Sequence, residues 1–207
     1  MKTLLLLLLA AVPLVFGALR LVELATGAPV TPENARFFAA PAPVVLHIVS
    51  VTFYAVLGPL QLASGFRRRF PRWHRGAGWV LAPLGLVAAS TGLWMQATYA
   101  LPAQDGAVLA VIRYVFGSAM LVSLVLGVAA VFRRDFVAHG AWMLRAYAIG
   151  MGAGTQVLTH LPWMLALGQP SVGARAFLMG AAWVINLAVA EWLIRRPSAP
   201  PLRVVAV

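Results

Sequence analysis

The 207-residue chain contains no cysteine, five acidic side chains and four histidines. The first absence excludes disulfides, thiolate zinc sites, cysteine-ligated iron–sulfur clusters, covalent c-type haem and a cysteine nucleophile. Scarcity of acid argues against a carboxylate-based proton or sodium pathway, since only Glu191 lies near the interior of an apolar run. There is no P-loop, no dinucleotide-binding glycine fingerprint and no HExxH. Ser50, Ser90, Ser118 and Ser123 lack the base and orienting group of a hydrolase. Histidine is therefore the main remaining metal or cofactor ligand.

What the chain does have is apolar length. Hydrophobic residues make up 62% and charged residues 10%, against roughly a quarter charged in a soluble domain. Six runs, at about residues 3–26, 42–66, 77–100, 107–132, 140–167 and 173–194, reach the roughly 20 residues needed to cross a bilayer. They predict an all-α fold: one integral membrane domain over residues 1–207, a polytopic bundle of six transmembrane helices. Lys2 and Thr3 to Phe16 also resemble a signal peptide. The apolar run outlasts a typical signal core, and Arg20 and Glu23 can pair at i,i+3, so a retained first helix is expected. Cleavage would leave five spans in the same orientation.

The net charge of +11 reads as topology and not as nucleic-acid binding. Lys2, Arg67, Arg68, Arg69, Arg72, Arg75, Arg133, Arg134, Arg195, Arg196 and Arg203 fall on one side. Glu23, Glu33, Arg36, Asp105 and Arg175 fall on the other. This bias places both termini in the cytoplasm and the protein in the bacterial inner membrane, as a multi-pass protein in the lipid bilayer. The cluster Arg67, Arg68, Arg69, Arg72 and Arg75 is expected to attract anionic lipid head groups. Trp73, Trp142 and Trp192 read as anchors at the inner interface.

Polar side chains at membrane depth mark the candidate site. His47, Tyr54 and Gln61 recur at spacing seven, which drifts only about 20° per step and keeps all three on one helix face. Such a stripe serves packing and interhelical hydrogen bonding, or a cofactor. His139 and His160 are 21 residues apart, about 31 Å along a continuous helix, with Gln156 on the same side. Gly150, Gly152 and Gly154 between them form a small-residue face that admits a neighbouring backbone or a flat ligand.

Depth groups the histidines into an outer pair, His47 and His160, and an inner pair, His74 and His139. Neutral imidazoles suit haem iron, copper, zinc or non-haem iron. The expected metal ligands are His47 and His160, holding haem b or another metal. Tyr54, Gln156 and Arg113 would support them, with Arg113 and Arg36 available to propionates. At the inner side Arg72, Arg75 and Arg145 surround His74 and His139. Arg145 can instead pair with Glu191, and His74 is expected in a short loop and not in a buried helix, which makes the inner pair the weaker haem candidate.

Three segments together resemble the bacterial membrane family catalogued as domain of unknown function 2306. They are His47-Ile-Val-Ser through Gly58-Pro59-Leu60-Gln61, Arg67-Arg-Arg-Phe-Pro-Arg-Trp-His74-Arg75-Gly76, and His139-Gly-Ala-Trp142-Met143-Leu-Arg145-Ala-Tyr147-Ala. The resemblance covers about residues 43–165 and implies a multi-span helical fold without an assigned activity. It directs attention to His47, Gln61, His74, Arg75, His139, Trp142 and Arg145. The paired histidines also resemble, in architecture only, two-haem b-type cytochromes, which place paired ligands closer along each helix than 21 residues. The leading expectation is haem-based electron transfer with an unidentified redox partner. Its rival is a transporter subunit or assembly factor with structural histidines. A third is a lipid- or quinone-modifying enzyme that uses His139 and Arg145.

Overall fold

The computed structural model describes residues 2–196; Arg203, used above for orientation, lies outside them. Among the described residues the chain is helical and without strands. The order is α1 (Lys2–Thr26), α2 (Ala35–Ala39), α3 (Pro41–Leu62), α4 (Ser64–Arg69), α5 (Pro71–Thr98), a 3-10 turn (Ala103–Asp105), α6 (Gly106–Phe132), α7 (Phe136–Gly150), α8 (Gly152–Leu167) and α9 (Val172–Arg195).

Local chemistry explains several boundaries. Pro41 and Pro71 open α3 and α5, where a missing N–H leaves no intrahelical bond unmade. Asp135 and Ser171 cap α7 and α9 by accepting from the amides of Ala138 and Ala174, at 2.9 and 3.3 Å. Gly168 ends α8 with a φ of 75°, which glycine adopts without Cβ strain.

Five segments are long and apolar enough to cross a membrane: α1, α3, α5, α9, and the 3-10 turn together with α6. Many of their large side chains face outward, among them Leu4, Phe16, Val108 and Phe177, as a hydrocarbon solvent permits. The fifth expected span differs. It is divided at Met151 into α7 and α8, of 15 and 16 residues, so His139 and His160 do not share one continuous helix. Their partners nonetheless step steadily back along α9. Arg145 meets Glu191, Asn186 donates to the Ala148 carbonyl, and Thr159 donates to that of Leu178. The two short helices thus run in succession antiparallel to α9.

A second correction concerns His74. The third run is helical from Pro71, so His74 lies in the first full turns of α5 and not in a loop. The second run ends at Leu62, and α4 carries the arginines that follow.

Helix α1 packs on α3 and α8, α3 on α5, α5 on α6, and α6 on α7 and α9; α7 also touches α3. This closed arrangement buries Tyr54, Ala89, Met120, Leu124, Ala146, Tyr147, Ile149 and Met151 in one core. The glycine run acts partly as expected. A side chain at Gly154 would strike the Leu9 backbone of α1, and one at Gly152 would strike Trp183 of α9.

Candidate functional site

Two cavities lie inside the bundle, one toward each end of the spans. The inner one, about 320 Å³, receives Gln61 from α3, His74 and Arg75 from α5, His139 and Met143 from α7, and Arg67 from α4. The outer one, about 280 Å³, receives His47 from α3, Arg113 from α6, Gln156 from α8, and Met179 and Trp183 from α9. Tyr54 lines both. The stripe at spacing seven is therefore divided between them: His47 outside, Gln61 inside, Tyr54 in the shared wall. Its ring edges approach the backbone of Gly85 on α5 and Gly150 on α7, where larger residues would intrude.

The inner cavity brings the separate sequence motifs into contact. Gly58 leaves room for the Tyr147 ring, and the Tyr147 hydroxyl donates to the Ala55 carbonyl at 3.1 Å. His139 Nδ1 lies 2.9 Å from the Gly127 carbonyl of α6. A carbonyl only accepts, so Nδ1 carries the hydrogen and Nε2 keeps its lone pair. His74 Nδ1 and Gln61 Nε2 are buried without a hydrogen-bond partner. Groups of this kind are rare in folded proteins because desolvation is not repaid. Arg67, Arg68, Arg69, Arg72 and Arg75 are exposed and carry none of the ion pairs found among the described residues.

The outer cavity repeats the histidine arrangement. His47 Nδ1 donates to the Ala88 carbonyl of α5 at 2.9 Å, close to Thr91 Oγ1 at 3.2 Å, so its Nε2 also keeps a lone pair. Gln156 Nε2 is a buried donor without a partner. Arg113 is paired with Asp105 at 2.7 Å, and Arg175 of α9 reaches the other oxygen of the same carboxylate at 2.8 Å. Asp105 is 4% exposed, so a buried carboxylate ties two helices together in a triad that keeps a net charge of +1.

His160 lines neither cavity. Its Nδ1 donates to the Gln156 carbonyl one turn back at 2.8 Å, and its Nε2 is buried without a partner. The expected outer pair is thus not brought onto one cavity, whereas the inner pair is. Arg145 stands outside the inner cavity, held by both carboxylate oxygens of Glu191 and lying 4.6 Å from the Trp142 ring centroid. Arg20 and Glu23 form their expected pair.

Among the described residues no three His, Cys, Asp or Glu side chains converge on a metal site. This argues against a metal held by such a protein cage. Haem iron brings four ring nitrogens and needs only axial ligands. Sequence reasoning passed over Tyr147 as a site residue, although its motif was quoted; its position follows from Gly58, far away in the chain. It also passed over the pairing of Asp105 with two arginines from different helices.

A family model described as a predicted membrane protein, DUF2306, matches residues 44–194. No curated protein and no solved structure matches the chain; the architectural likeness to two-haem cytochromes gains no support from these comparisons.

Proposed function

The chain belongs to the DUF2306 family of membrane proteins, and from that premise we propose a six-span inner-membrane electron-transfer protein that binds b-type haem at its inner cavity. The sixth span is α7 followed by α8, and both termini face the cytoplasm, by the arginine bias. The observation that carries the haem reading is the meeting of His74 and His139, from two helices, on one largely apolar cavity. His139 is already fixed with Nε2 free, the tautomer a ligating histidine adopts when its other nitrogen bonds a carbonyl.

Under this reading His74 and His139 are the residues that would hold the haem. Arg67 and Arg75, at the same cavity, balance propionate charge. Leu81, Val131 and Met143 keep water away, and the Tyr147 hydrogen bond to α3 braces the wall. Bound haem supplies one-electron oxidation and reduction. Arg68, Arg69 and Arg72 remain for anionic lipid head groups.

A specific observation supports the rival. The Nδ1 bonds of His47 and His139 bridge neighbouring helices, as structural histidines in an assembly factor or transporter subunit would. Oxidised and dithionite-reduced spectra of protein purified from haem-replete cells separate the two. We expect a Soret band that sharpens on reduction, with α and β bands, and its loss in His74→Ala and His139→Ala. Colourless wild-type protein, with both variants melting lower, overturns the haem reading in favour of structural histidines.

A further inference from the structure

The outer cavity has donors and acceptors that the inner-site proposal does not use. From their arrangement we infer that it binds the hydroxylated aromatic head group of a membrane quinol. Three properties select this ligand class. First, the charged side chain on the lining, Arg113, is already bonded to Asp105, which Arg175 also holds. An anionic ligand would have to compete with a carboxylate already in place, so a neutral ligand is favoured. Second, the polar groups are few and complementary. His47 Nε2 accepts, because its Nδ1 hydrogen is engaged by Ala88. Gln156 Nε2 is a buried donor with no partner among the described residues. A phenolic hydroxyl can do both: it donates its hydrogen to the imidazole and accepts from the amide through its oxygen.

Third, the remaining walls suit a flat apolar ring. Trp183 lies against Phe116 with centroids 5.0 Å apart and planes 17° apart, and lines the cavity with Met120 and Met179. Gly92, Gly117 and Gly150 keep the lining thin. Apolar walls with a few converging polar groups are the usual form of a small-molecule site. A lipid-soluble ligand would also reach a cavity within the hydrocarbon region without crossing water.

This inference stands on the outer side chains and does not require haem in the inner cavity. The test is anaerobic calorimetric titration of decylubiquinol, and separately decylubiquinone, into the full-length protein in lipid nanodiscs. We expect saturable quinol binding at one site, and about tenfold weaker binding of the quinone, which has no hydrogen to give His47. His47→Phe removes the preference for quinol, and Gln156→Leu weakens both forms. Should His47→Phe fail to fold, Met179→Trp, which fills the cavity from its wall, must abolish binding instead. His139→Ala must leave quinol affinity unchanged, which separates this site from the haem proposal. Equal affinity for the two forms, unsaturable partitioning, or quinol binding unaffected by both His47→Phe and Met179→Trp would overturn the inference.

Discussion

The inner and outer cavities share a wall and a histidine geometry, yet they treat charge in opposite ways. At the outer end two arginines converge on the buried carboxylate of Asp105. At the inner end Arg67 and Arg75 reach the cavity without an acidic partner among the described residues. Charges already paired within the fold contribute rigidity, and a ligand must compete with the pairing to reach them. Charges left to solvent are free to meet phosphate or carboxylate. The comparison separates a structural use of arginine from a ligand-directed one within a single small bundle.

Four substitutions test that division, from the largest effect to the smallest. Asp105→Asn leaves two guanidinium groups facing each other at the outer end; we expect a loss of about 3 kcal/mol, the range for breaking a buried pair, seen as early thermal unfolding in detergent. Gly58→Ala forces the Tyr147 ring away from α3. The expected cost is about 1–3 kcal/mol by overpacking, with distortion at the inner cavity and no change in quinol affinity at the outer one. Tyr147→Phe removes only the bond to Ala55 and should cost about 1 kcal/mol in the same assay. Arg67→Gln with Arg75→Gln should alter stability by less than about 0.5 kcal/mol. The double variant should retain less haem than wild type in oxidised and dithionite-reduced spectra, while lipid binding through Arg68, Arg69 and Arg72 persists. A strongly destabilised double variant would show that the inner arginines are structural after all.

Five of the six expected spans were legible because a bilayer imposes a length and a composition that few other environments demand. The stripe of His47, Tyr54 and Gln61 was legible for a related reason: a helix fixes angular spacing, and all three residues do line cavities. The Arg145–Glu191 pair could be anticipated from matching depth. What escaped depended on pairs distant in sequence. The fit of Tyr147 against Gly58 and the sharing of Asp105 between α6 and α9 arise only when helices pack. The break at Met151 escaped because Gly150, Gly152 and Gly154 were read by the space they leave to neighbours. That space is used, by Tyr54, Trp183 and Leu9, but glycine also weakens the helix itself. Depth alone grouped His47 with His160, and depth does not say which way a side chain points.

Tyr54 is the side chain that the two cavity linings share. Its ring is held edge-on between α5 and α7 and belongs to both linings. If occupancy on one side favours a different tilt of the ring, the affinity on the other side changes by a factor that must be the same in either direction. A ring held in place against Gly85 and Gly150 instead leaves the two compartments independent, and an unchanged outer affinity in His139→Ala reports that case.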